Sequence, residues 1–162
     1  MFTPHPDSVV VEVAAIRVAH YPARLMTPAL GSCAGIALWD PLARIGGLGH
    51  IMLPSPSDGT TGHSAKYADW AVPEMIRQME EAGALRRRIL AKIAGGAAMF
   101  NRDSDSASIG DRNVEEVRRQ LALLQVVLVA EDTGQGHART VELVLDTGIL
   151  LVHSYRFGTR EI

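Results

Sequence analysis

The residues of this chain best suited to nucleophilic chemistry are its single cysteine, Cys33, and one of its six histidines, His50. A free thiol with a pKa of about 8.5 is only a few per cent thiolate at neutral pH, so a working cysteine needs a base or a cationic neighbour. Cys33 closes a glycine-containing turn at the start of one apolar run, and His50 opens the next. If those two runs are strands that pair, the two side chains can meet. Lowering the thiol pKa from about 8.5 to about 6.5 takes about 2.7 kcal/mol of preferential stabilisation of the thiolate, which a nearby imidazolium can supply. The spacing permits this dyad without compelling it. Cys33 also fits a small buried hydrophobe, and His50 a hydrogen-bonded structural residue. His5, His20, His63, His137 and His153 fall at solvent or loop positions. No pair of histidines has useful metal-ligand spacing and a dinucleotide fingerprint is absent, so neither metal nor cofactor is expected.

The elements that must position these side chains follow from hydrophobic pattern and turn chemistry. Val9–Val13 and Ile16–Val18 are β-branched runs that suggest an opening strand or hairpin. After turn residues at Pro28–Gly31, the run Ala34–Trp39 is short and apolar and stops at Asp40-Pro41, where proline ends a ladder. Gly46-Gly47 precede a second apolar run, Ile51–Leu53, closed by Pro54. Ser55–His63 has the composition of a surface loop. Ala71, Met75, Met79 and Ala82 recur at helical spacing, opposite Glu74, Arg77, Gln78 and Glu81, with Gly83 as the stop. Pro73 implies a kink, or a helix that begins one residue earlier. Ile89–Ile93 reads as a strand, followed by Gly95-Gly96 and a polar loop through Ser108. The paired glycines suit a turn better than a close approach of substrate backbone. Asn113 with Glu116 three residues on forms the start signal of a second helix, carrying Val114, Val117, Leu121 and Leu124 on one face. Val126–Val129 and Val141–Leu145 are further strands, and the turn Asp146–Gly148 closes a terminal hairpin that ends near Tyr155. Six or seven strands and two main helices imply an α/β (α+β) layered sandwich with a mixed, largely antiparallel sheet.

Composition limits the rest. The 162 residues suffice for one domain, expected over 1–162, and 47% hydrophobic against 21% charged residues is the balance of a packed globular chain. A net charge of −2 offers no basic field for phosphates, which argues against nucleic acid as a partner. No segment reaches the roughly 18 apolar residues of a membrane span, and the N-terminus lacks a secretory pattern, so no membrane insertion and a cytoplasmic location are expected. A lone cysteine forms no internal disulfide.

Several short motifs then stand in one order: Leu30-Gly31-Ser32-Cys33, Trp39-Asp40-Pro41, and Gly47-Leu48-Gly49-His50-Ile51-Met52-Leu53-Pro54. Lys66-Tyr67 with Asp69 and Ala71, Gly95-Gly96-Ala97 with Met99-Phe100, and Ile109-Gly110 with Arg112-Asn113 follow. Together, over Val18–Val152, they resemble the chemoreceptor glutamine deamidase family, CheD. The resemblance implies a cysteine hydrolase of sandwich fold that converts particular glutamines of chemotaxis receptors to glutamate plus ammonia through a thioester. It places the nucleophile on Cys33, the base on His50 and an orienting hydroxyl on Thr27; on geometric grounds alone, backbone N–H groups around Gly31, Ser32 and Cys33 are the candidates to face the oxyanion. It also implies receptor cytoplasmic helices as substrate and a CheC-type phosphatase as a partner. Two alternatives stay open: a thiol methylesterase on the same receptors, and a non-catalytic adaptor that retains the old site. Two departures stand out. Asp132–Arg139 lacks the paired glycine and Gly-Arg step associated with many members, and Pro28 directly after Thr27 holds that residue in extended conformations.

Overall fold

The structure, a computed structural model, describes residues 2–99 and 107–162. Period-2 patterning dominates it. On β4 (Ala34–Asp40) the side chains of Ile36 and Leu38 enter one hydrophobic cluster while Ala37 enters another, as the pleat requires. β4 therefore divides two cores. It lies at the centre of a five-stranded sheet with β2 (Ala15–His20), β5 (Ile45–Ile51), β6 (Leu90–Gly95) and β7 (Val127–Thr133), ordered β2-β5-β4-β6-β7. A second sheet holds β1 (Ser8–Val10), β3 (Arg24–Leu30), β8 (Arg139–Val144), β9 (Leu150–Ser154) and β10 (Gly158–Glu161), ordered β1-β3-β8-β9-β10. All pairings are antiparallel except β1 with β3 and β6 with β7.

Two helices, α1 (Ala68–Glu81) and α2 (Ile109–Leu123), cover the outer face of the first sheet, where Ala71, Met75, Met79, Val117 and Leu121 meet Ile36, Leu38, Ile51 and Ile93. The other face of that sheet presents Ala37, Leu48 and Ala94 to Leu25, Leu30, Val141, Leu143 and Leu150 of the second sheet. The result is a helix–sheet–sheet sandwich, in agreement with the expected layered α+β class.

Several elements depart from the pattern reading, each for a physical reason. The described residues form ten strands, where six or seven were expected. β1 and β2 are not a hairpin, since β1 pairs with β3 and β2 with β5 across two sheets. Pro28 is not in a turn but inside β3, at a register shift between Thr27 and Leu30 where Ala29 takes φ 58°; a bulge tolerates a proline that has no ladder proton to give. β5 starts at Ile45 and includes the glycines that looked like a turn. Gly46 faces the second sheet, where a Cβ would fall 2.4 Å from Leu145 Cδ2, while Gly47, like Gly49 further on, lies under α1, where a Cβ would stand 3.3 Å from Met75 Cε and 2.9 Å from Met75 Sδ respectively. α1 carries Pro73 inside it, in its second turn, and Gly83 follows its end at φ +116°. α2 starts four residues before Asn113, with a reciprocal Ser108–Asp111 capping box in place of the expected Asn113–Glu116 signal. β10, exposed along its length, has no apolar alternation to announce it. Of the polar loop expected after Gly96, residues 100–106 lie outside the described residues, as does Phe100 of the quoted motif.

Candidate active site

The inner space between the two sheets holds the polar residues of interest. Because Gly47 and Gly49 of β5 face α1, alternation turns Leu48 and His50 toward the second sheet. There Thr27, on β3, meets His50: Thr27 Oγ1 lies 2.7 Å from His50 Nδ1 and donates to the carbonyl of Val11 at 2.6 Å. A hydroxyl has one proton. With that proton committed to Val11, the second contact requires Nδ1–H of the imidazole to donate to Oγ1, which leaves the lone pair on Nε2. Both residues are fully buried, and Nε2 has no hydrogen-bond partner among the described residues. Burial lowers the His50 pKa to about 4, so the ring is neutral at pH 7. Its backbone is held too, since the His50 carbonyl accepts the Ala14 amide at 2.8 Å.

Cys33 stands directly ahead of β4. The β4–β5 register pairs Gly35 with His50, so Cys33, two residues before Gly35, projects to the same inter-sheet side and packs against the inner cluster. His50 does not open its strand as expected; it is the penultimate residue of β5. Antiparallel pairing sets the end of β5 beside the start of β4, so the two residues share one end of the hairpin. Desolvation raises the pKa of the half-buried Cys33 thiol, opposed by its own backbone N–H. Burial thus works against the expected imidazolium: His50 is out of water and neutral at rest, and the partial burial of Cys33 favours its protonated thiol.

The segment before Cys33 is pinned by its carbonyls. Gly31 accepts from Ala97 N–H at 2.9 Å, Cys33 from Gly96 N–H at 2.8 Å, and Ser32 from Asn113 Nδ2 at 2.9 Å. With three successive carbonyls engaged on protein donors, the N–H groups of Gly31 and Ser32 have no acceptor among the described residues. The expected turn is not there, since Gly95 is the last residue of β6 and Gly96 follows it without a turn; the pair instead allows a close approach to Cys33. Their φ angles are +100° and +63°, and a Cβ on Gly95 would fall 2.4 Å from the Cys33 carbonyl oxygen. Asn113, read from sequence as a helix cap, lies within α2, fully buried, and bonds the Ser32 and Met52 carbonyls. Apart from that cap reading, only its place among the later motifs had drawn attention to it. The remaining histidines stay apart: His5, His20 and His63 are exposed, His137 stands edge-on to Phe157 in a loop, and His153, on β9 and not in the loop or solvent position expected, is hydrogen-bonded to Thr159 of β10.

With that geometry in view, residues 52–154 match the family model described as CheD chemotactic sensory transduction. The chain belongs to the CheD family. It is 39% identical over 159 residues to a probable chemoreceptor glutamine deamidase CheD of Clostridium novyi, covering 96% of this chain and 98% of that protein. It is 43% identical over 149 residues to the chemoreceptor glutamine deamidase CheD of Thermotoga maritima, covering 92% and 93%. The corresponding probable CheD deamidase of Archaeoglobus fulgidus shows 46% identity over 153 residues, covering 94% and 96%. The family-model match begins beyond His50, whereas the alignment to the Clostridium CheD, at 96% of the chain, runs across Thr27, Cys33 and His50. In this CheD-family chain no helix among the described residues is long and apolar enough to cross a membrane.

Proposed function

We propose that this protein is a cysteine amidohydrolase that deamidates glutamine side chains on chemotaxis receptors in the cytoplasm. Cys33 is the nucleophile, His50 the general base and acid, and Thr27 the residue that orients the imidazole. The observation that carries this reading is the Thr27–His50 hydrogen bond, which leaves a buried, unpartnered Nε2 lone pair on the face of the sheet shared with Cys33. A structural histidine would spend both ring nitrogens on hydrogen bonds; this one spends one.

In the reaction, Nε2 takes the thiol proton as Sγ attacks the side-chain amide carbon, and the carbonyl π-pair moves onto oxygen. The free N–H groups of Gly31 and Ser32 are the donors that face the oxyanion, held by the bonds to their carbonyls. The imidazolium returns its proton to the departing nitrogen, ammonia leaves, and a thioester remains. Water, deprotonated by Nε2, then attacks the thioester; the product is a glutamate side chain and the thiol is restored. An imidazole whose cation is disfavoured by burial holds that proton only briefly, which suits a group that must deliver it to ammonia in the same turnover. The family reading also extends to a CheC-type phosphatase as partner, tested by co-purification of the two full chains.

The test is mass spectrometry of a receptor cytoplasmic fragment incubated with wild-type protein and with Cys33→Ala. Conversion of glutamine to glutamate by the wild type alone is expected. Equal conversion by both would remove Cys33 from the mechanism, and conversion by neither, on receptors of the same organism, would overturn the deamidase reading.

A further inference from the structure

Asparagine is a poor helix former, and burying a carboxamide costs free energy unless its hydrogen bonds are remade. Asn113 nevertheless sits inside α2 with no exposure. Its Nδ2 donates to Ser32 O at 2.9 Å and to Met52 O at 3.0 Å. Both acceptors are carbonyls, so the amide orientation is chemically forced: the nitrogen, and not Oδ1, must face them. Oδ1 is buried with no partner. Ser32 adjoins the cysteine, and Met52 lies two residues beyond the histidine. One planar NH2 group therefore ties the loop that carries the thiol to the end of the strand that carries the imidazole. α2 touches the same loop at a second point, because Gly110 packs on Gly96, whose amide holds the Cys33 carbonyl; a Cβ on Gly110 would come 2.4 Å from Gly96 O.

We infer that Asn113 is a positioning residue, whose carboxamide fixes the Cys33 loop against the His50 strand so that Sγ and Nε2 meet. This rests on the reading of Cys33 and His50 as nucleophile and base. Asn113 touches neither the sulfur loop nor the histidine strand through their reactive atoms; it acts through two backbone carbonyls. Losing it lets the loop relax away from β5, and a displacement near 1 Å in such a pair lowers turnover about a hundredfold.

The test is a double-mutant cycle on the full chain, reading alkylation of Cys33 by iodoacetamide at pH 7, which needs no receptor. His50→Gln is expected to slow alkylation at least about tenfold in the wild-type background, because the base that assists the thiol is gone. In the Asn113→Ala background the same substitution is expected to slow it less than about twofold, since the two groups no longer meet. Asn113→Ser, polar but too short to reach both carbonyls, gives the same result should the alanine variant fail to fold. Val117→Ala, which empties space on the same helix without touching either carbonyl, leaves the full effect of His50→Gln; a merely structural role for Asn113 would make the two helix variants behave alike. In the receptor assay, Asn113→Ala lowers kcat about a hundredfold with KM unchanged. A full His50→Gln effect retained in a folded Asn113 variant overturns the inference. A Cys33→Ala protein that still deamidates, or a His50→Gln substitution without effect on wild-type alkylation, instead overturns the underlying site.

Discussion

Replacing Thr27 with valine keeps the shape of the side chain and deletes one oxygen, yet that oxygen is the hub of two bonds. It gives its proton to Val11 O at 2.6 Å and takes one from His50 Nδ1 at 2.7 Å, in a place without solvent. Thr27→Val leaves a buried carbonyl and a buried ring N–H unpaired, each at a cost of about 1–3 kcal/mol. The expected loss of stability is therefore about 2–6 kcal/mol, against a typical total of 5–15 kcal/mol. The catalytic loss has a separate origin. Without Oγ1 nothing assigns the proton to Nδ1 or holds the ring plane, so Nε2 no longer presents a fixed lone pair to the thiol. Misplacement of that order costs about a hundredfold in kcat, with KM little changed. Thr27→Ser keeps the oxygen and is expected to stay within about tenfold of wild type. The assay is the initial rate of glutamine-to-glutamate conversion in a receptor fragment, followed by mass spectrometry at a temperature where circular dichroism shows both variants folded. A folded Thr27→Val protein with wild-type kcat would refute the assignment of Thr27 as the residue that orients His50.

Three further outcomes follow from the same geometry. Because burial raises the Cys33 pKa above its ordinary value, the rate of Cys33 alkylation is expected to climb again above pH 9; a profile with one rise below pH 8 and a flat region beyond it would show a resting thiolate instead. His50 titrates at about 4 in the fold and at about 6.5 when unfolded, so between those values the unfolded state binds more protons and stability falls as pH drops. The full loss is about 3 kcal/mol once pH is below 4, and urea titrations at pH 7 and pH 4 should find that His50→Gln loses less than wild type over this window. Gly95→Ala places a methyl group against the Cys33 carbonyl at a positive φ, and is expected to lower the melting temperature by several degrees and to cut alkylation of Cys33; a neutral outcome in both would mean that the Cys33 loop is not held there.

Much of this molecule was legible in one dimension. The apolar run at Ala34–Trp39, the helical spacing of Ala71, Met75 and Met79, and the hairpin around Asp146–Gly148 are local patterns, and local periodicity is set by which face of an element meets a core. That Cys33 and His50 fall at one end of the β4–β5 pair was also within reach, because the two residues border successive apolar runs. What sequence could not show is whatever depends on a neighbour far along the chain. Gly46 and Gly47 read as a turn because nothing local reveals that Leu145 presses on the first and Met75 on the second. Pro28 read as a turn residue because the bulge that accommodates it is a register relation between β3 and β8. Asn113 read as a cap because its two acceptors lie 81 and 61 residues away. The charge state of each group was likewise decided in three dimensions: packing between the two sheets takes His50 out of water and half-buries Cys33, which disfavours imidazolium and thiolate alike.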